Sequence, residues 1–122
     1  MKKLLIVFGI LLMTIPSSAQ KKNAKVEFEV AGVCGMCKQR IEKASLETKG
    51  VKFANWSVKT HKLTLIIDER KTSTTQIKKN IAAVGHSTKE IETTEKAYDA
   101  LDECCKYNDE EVVKNHKKGI MK

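Results

Sequence analysis

A chain of 122 residues with a net charge of +8 and 5% aromatic residues has room for one small domain and a tail, and too little for two ordinary domains. The basic excess raises nucleic acid as a ligand, but lysines are spread over every segment, Arg40 and Arg70 are the only arginines, and no aromatic cluster interleaves them. Composition therefore argues against nucleic acid and leaves a soluble surface, or attraction to an acidic partner or an anionic membrane face, as the meaning of the charge.

Lys2 and Lys3 precede an uncharged stretch from Leu4 to Ile15, which ends at Pro16 and the small residues Ser17, Ser18 and Ala19. This pattern predicts a signal peptide over residues 1–19, cut before Gln20. The apolar run falls short of the ~20 residues that a membrane-spanning helix needs. No cysteine follows the cut to carry a lipid. The expectation is an exported protein, periplasmic or secreted, whose membrane contact is confined to the signal peptide. Losing Lys2 and Lys3 would lower the charge from +8 to +6.

After a polar start, Val26, Phe28 and Val30 alternate with Lys25, Glu27 and Glu29, which predicts a half-buried strand. Ala31 to Met36, with Gly32 and Gly35, reads as a loop. Cys37 to Lys49 carries Ile41, Ala44, Ser45 and Thr48 at helical spacing and stops at Gly50. A second strand places Ala54, Trp56 and Val58 on one face, and Lys59 to Lys62 turns into a third strand with Leu63, Leu65 and Ile67 inward. Ser73 or Thr74 caps a second helix, with Ile77, Ile81 and Val84 on its inner side and Gly85 at its end. Ser87 to Thr94 is placed as a fourth strand on topological grounds, since only Ile91 is apolar there. A short helix over Glu95 to Leu101 and a loosely ordered charged end from Asp109 to Lys122 complete the reading. The order is that of a split βαβ unit. It predicts an α+β, ferredoxin-like βαββαβ sandwich, with an antiparallel sheet, both helices on one face and a C-terminal tail.

Chemistry concentrates at Cys34 and Cys37, which straddle the junction of the first loop and the first helix. Thiolates are the soft ligands that select Cu(I) and other thiophilic cations, and two at this spacing leave an open side for ligand exchange. The helix N-terminus, with Lys38 and Arg40 nearby, favours the ionised thiol and lowers proton competition for metal. A structural disulfide and thiol-disulfide redox chemistry are the alternatives. Pro16 is the only proline, so the chain after the expected cut lacks the cis-proline that thioredoxin-like oxidoreductases set beside their active site. Neighbouring Cys104 and Cys105 would form a strained ring if paired together. They read as accessory metal ligands, as disulfide partners of Cys34 or Cys37, or as a bridge between two chains. A tail that folds back would surround one ion with four sulfurs, as in a closed zinc site. Met36 is read as a packing residue, and His61 and His116 as solvated.

The loop after the first strand, Cys34-x-x-Cys37, the helix Arg40-Ile41-Glu42-Lys43-Ala44, Gly50-Val51 and Ala83-Val84-Gly85-His86 together resemble a heavy-metal-associated domain over residues 25–93, leaving 94–122 as an extension. The resemblance implies a carrier in the manner of copper chaperones, metal-ATPase N-terminal domains and periplasmic mercury carriers, with Cys34 and Cys37 as ligands and His86 as an auxiliary residue near the metal. Gly32-Val33-Cys34 is one residue shorter than the usual motif, lacks its Met and has Met36 between the cysteines. Cu(I) is the expected cargo, with Hg(II), Zn(II) and Cd(II) as alternatives. The implied partner is a metal-transporting ATPase or another metal-accepting protein, and a homodimer bridged by a shared ion is a further possibility. No Ser-His-Asp grouping, purposeful carboxylate pair or phosphate-cradling loop accompanies the cysteines, so an enzyme is not expected.

Overall fold

β-Strands β1 (Ala24–Glu29), β2 (Val51–Trp56) and β3 (Lys62–Ile67) form an antiparallel sheet in the order β1-β3-β2 in the computed structural model, which describes residues 20–118. The expected signal peptide over 1–19 and the end of the tail, 119–122, lie outside the described residues. The period-two pattern sets the register: Val26 faces Leu65 and Phe28 faces Leu63, while Lys25, Glu27 and Glu29 point to solvent. A bulge between Val51 and Phe53 shifts β2 against β3. Trp56 nevertheless lies opposite Leu63 and is fully buried.

Helix α1 (Gly35–Leu46) buries Cys37, Ile41, Ala44 and Ser45, and α2 (Thr74–Ala83) buries Ile77, Ile81 and Ala82, with Ile77 and Ile81 joining Cys37, Ile41 and Ala44 in one core. The buried hydroxyls of Ser45, on α1, and Thr48, just beyond its end, are satisfied locally. Ser45 Oγ donates to the Ile41 carbonyl at 2.7 Å and Thr48 Oγ1 to that of Ala44 at 3.0 Å, so neither leaves a buried polar atom without a partner. Ser73 caps α2 by accepting from the Gln76 N–H.

The fourth strand expected over 87–94 does not form among the described residues. Ala31 N–H donates to the Ser87 carbonyl at 2.9 Å, where pairing with the chain after β1 would begin, but the next residues curl away. Thr88 and Ile91 close a turn on each other, Thr93 N–H donates to Ser87 Oγ, and Thr93 Oγ1 donates to the Ala82 carbonyl. Ser and Thr side chains offer the backbone local partners, and one apolar residue supplies too little burial to outweigh them.

The extension is more ordered than its charge suggested. Helix α3 (Glu95–Asp99), a 3-10 turn (Glu103–Cys105) and α4 (Glu110–Lys117) follow, each capped by nearby residues where a cap exists: Thr94 for α3 and Asp109 for α4. Gly85, at φ +104, makes room for this return. A Cβ there would stand 2.7 Å from Leu101 Cδ2 and 2.8 Å from the Ala97 carbonyl oxygen. Tyr107 locks the fold-back by donating to the Gly85 carbonyl at 2.7 Å and accepting from the Ser87 N–H at 3.1 Å.

Trp56 ties the end of β1 to the hairpin: its Nε1 donates to the carbonyls of Val30 and His61, both at 3.0 Å. Trp56→Phe removes that donor and leaves buried acceptors behind. It is expected to cost about 1–3 kcal/mol in urea unfolding; a loss within error would show that the indole N–H is not needed.

His86 is fully buried, with Nδ1 2.7 Å from the Ala31 carbonyl and its ring stacked on Tyr107. Burial foremost, with the Arg40 charge, lowers its pKa to about 4 against the opposing pull of the Ala31 carbonyl. The unfolded chain titrates near ~6.5 and so binds the proton more readily. His86 therefore contributes stability that is complete above ~6.5 and is lost as pH falls towards 4, by about 3 kcal/mol in all. Urea midpoints should fall across that window in the native chain and stay flatter in His86→Gln; equal slopes would remove His86 as the cause.

Candidate metal centre

Cys34 is the N-cap of α1, at φ −143 and ψ 174, and its sulfur accepts from the Cys37 N–H at 3.4 Å. An extended residue followed by a helix brings side chains three apart onto the same end, which is why the Cys-x-x-Cys spacing converges here. Gly32 lets the loop pass close to Trp56. A Cβ at Gly32 would stand 2.9 Å from Trp56 Cζ2 and 3.1 Å from Cys37 Cβ. The indole thus forms the floor under the loop as well as its anchor at Val30.

The sulfurs of Cys34 and Cys37 are 3.2 Å apart, and Cys105 Sγ stands 3.4 Å from that of Cys34. Cys104 Sγ is 3.9 Å from Cys105 Sγ and 3.3 Å from Met36 Sδ. The sulfurs of Cys34, Cys104 and Cys105 lie within 4.8 Å of one another. All four cysteines are free thiols; Cys34, Cys37 and Cys105 are buried and Cys104 is half-buried. The fold-back of the tail has therefore brought both cysteine pairs to one place, with Cys34 in contact with a sulfur of each. Met36 is 43% exposed, on the surface beside Cys104 rather than packed inside as expected.

Cys34 is the thiol that its surroundings shift towards ionisation. Burial raises its pKa, but hydrogen bonds from the Cys37 N–H and from the Cys37 and Cys105 thiols outweigh it, and the net shift is downward. Burial drives Cys37 well above the ordinary thiol range, and Cys34 and Cys105 add to the rise. Burial also pushes Cys104 up to about 12, with the charge of Cys105 next in importance. Of these three thiols Cys34 is thus the easiest to ionise.

Of the two cations expected to favour thiolate, only Arg40 faces the sulfurs. Lys38 Nζ is turned away, donating to Glu42 Oε2 at 2.6 Å, Asn55 Oδ1 at 2.9 Å and the Trp56 carbonyl at 2.9 Å. Arg40 Nη2 pairs with Asp102 Oδ2 at 3.1 Å, and Cys105 is its strongest stabilising neighbour against the cost of burial. His86 is not among the residues whose ligand atoms cluster; its Nδ1 is held by Ala31 and its Nε2 is buried without a hydrogen-bond partner. His116 is not simply solvated, because its Nε2 is 2.8 Å from the Cys104 carbonyl. Asp102, Tyr107 and the Trp56 floor were not singled out as parts of the site. Arg40 and Asp102 are far apart in sequence, and only the fold-back makes them neighbours.

Sulfur donors without a carboxylate among them suit a thiophilic cation and discriminate against hard ones. Comparison with curated protein sequences returns no match. Among solved structures, a CopZ metallochaperone is similar at 26% identity and a TM-score of 0.52, over 53% of this chain and 98% of that one. The Cu(I)-loaded N-terminal domain of a potential copper-translocating P-type ATPase from Bacillus subtilis is similar at 26% identity and 0.51, over 53% and 82%. The N-terminal soluble domains of Bacillus subtilis CopA are similar at 28% identity and 0.51, over 57% and 48%. The model of the heavy-metal-associated domain matches residues 27–87, half of the chain, with Cys34, Cys37 and His86 inside it. The protein belongs to the heavy-metal-associated domain family.

Proposed function

We propose that this protein is an exported carrier that takes Cu(I) between Cys34 and Cys37 and passes it to a metal-accepting protein, such as a metal-transporting ATPase, by thiolate exchange. The observation that carries the reading is the pair of sulfurs 3.2 Å apart at the N-terminus of α1, in a chain of the heavy-metal-associated family. Similarity to a metallochaperone and to a Cu(I)-loaded ATPase domain supports copper over other soft cations. The basic leader followed by an apolar run and small residues supports export to the periplasm or beyond.

In this reading the ion is cargo, and transfer needs no chemistry on an organic substrate. The lowered pKa of Cys34 makes it the first ligand to engage. Cys37 follows by releasing its proton to solvent, so uptake is coupled to proton release. An incoming thiolate then displaces one sulfur at a time, which keeps the ion ligated throughout.

An anaerobic Cu(I) titration of the reduced protein against a chromophoric competitor tests this. One tightly held equivalent is expected, abolished in Cys34→Ser/Cys37→Ser. Failure to outcompete the dye, or unchanged binding in the double variant, would overturn the assignment. Release of protons into a weakly buffered solution during the same titration should track the bound ion.

A further inference from the structure

Cys105 comes from outside the segment that matches the family, yet it is fully buried and 3.4 Å from Cys34. Three contacts fix it there. Leu101 packs into the space left by Gly85, Asp102 pairs with Arg40, and Tyr107 is bonded to the Gly85 carbonyl and the Ser87 N–H. A buried cysteine is often only a small apolar side chain. The surroundings here are different. Cys105 contacts another thiol and lies beside the Arg40 guanidinium, whose Nη1 is buried without a hydrogen-bond partner. A buried cationic donor without a partner is costly, and a negatively charged sulfur next to it would satisfy it.

We propose that Cys105 is a third sulfur ligand to the ion held by Cys34 and Cys37, and that the C-terminal extension is a lid which closes the metal site and must lift for the ion to be transferred. The inference rests on the carrier reading above. On binding, the Cys105 thiol gives its proton to solvent and its sulfur joins the ion. Three thiolates and one Cu(I) leave a net negative charge, which Arg40 is placed to offset. Cys104 Sγ also lies within 4.8 Å of the Cys34 and Cys105 sulfurs, but it is half-buried and engaged with Met36 Sδ at 3.3 Å, which holds it at the rim. A two-sulfur site is open to an incoming thiolate; a third sulfur delivered by the protein itself fills that side, trading rate of transfer for retention.

X-ray absorption on the reduced full chain carrying one equivalent of Cu(I) counts sulfur neighbours directly. Three are expected in the native chain and in Cys104→Ser, and two in Cys105→Ser. Cys105→Ser should also bind Cu(I) at least ~10-fold more weakly and give it up faster to a small thiol competitor. Two sulfurs in the native chain would overturn the proposal whatever the variant does, so a misfolded Cys105→Ser cannot protect it. Equal affinity and equal release rate in a folded Cys105→Ser would do the same. Absence of Cu(I) binding in the native chain would instead sink the carrier reading on which this rests.

Discussion

The buried indole of Trp56 is the constraint on which the remaining architecture depends. It holds the carbonyl where β1 ends, the carbonyl where the β2–β3 hairpin turns back, and the loop that delivers Cys34. A metal-carrying loop has two opposing needs: its ligands must be presented at a defined spacing, and its backbone must be free to yield them. A rigid floor beneath Gly32 meets the first need without adding side-chain bulk to the loop itself. The stacked His61 ring, in parallel contact with the indole at a centroid distance of 5.6 Å, shields the far side of the same anchor. It occupies the left-handed region at φ 61 in the tight turn before β3.

Electrostatics at the cysteines are dominated by burial rather than by the charges that flank them in sequence. Lys38 follows Cys37 directly but is claimed by Glu42, Asn55 and the Trp56 carbonyl, and so acts as a brace between α1 and β2. Arg40, further along α1, is the residue that reaches the sulfurs. Burial raises Cys37 and Cys104, while the hydrogen bonds that Cys34 receives as helix cap and common neighbour carry it the other way.

Most of the scaffold was legible in the sequence because its signals are periodic. Alternation in β1 and β3, the Gly85 stop and the Ser73 cap all rest on local rules that tertiary structure left intact. The first helix begins at Gly35, two residues before the expected start, since the cap is Cys34 itself. The fourth strand was inferred from topology without a hydrophobic pattern, and local hydrogen bonding by Thr88, Ser87 and Thr93 prevailed. The cysteine pair was visible from spacing alone. Its approach to Cys105 was one of several alternatives there, because it depends on Leu101, Asp102 and Tyr107 finding partners that no short-range rule connects.

The turn that replaces a fourth strand leaves β1 at the margin of the sheet, with one row of backbone groups facing outward. Such margins invite other chains to add themselves, the first step towards fibrous aggregates. Along β1 the outward side chains are Lys25, Glu27 and Glu29, all exposed and of mixed sign. A second copy docking in parallel register would set Lys25 against Lys25, Glu27 against Glu27 and Glu29 against Glu29. The charged alternation that marks β1 in the sequence therefore also discourages self-association, and allows the sheet to stay narrow without becoming adhesive.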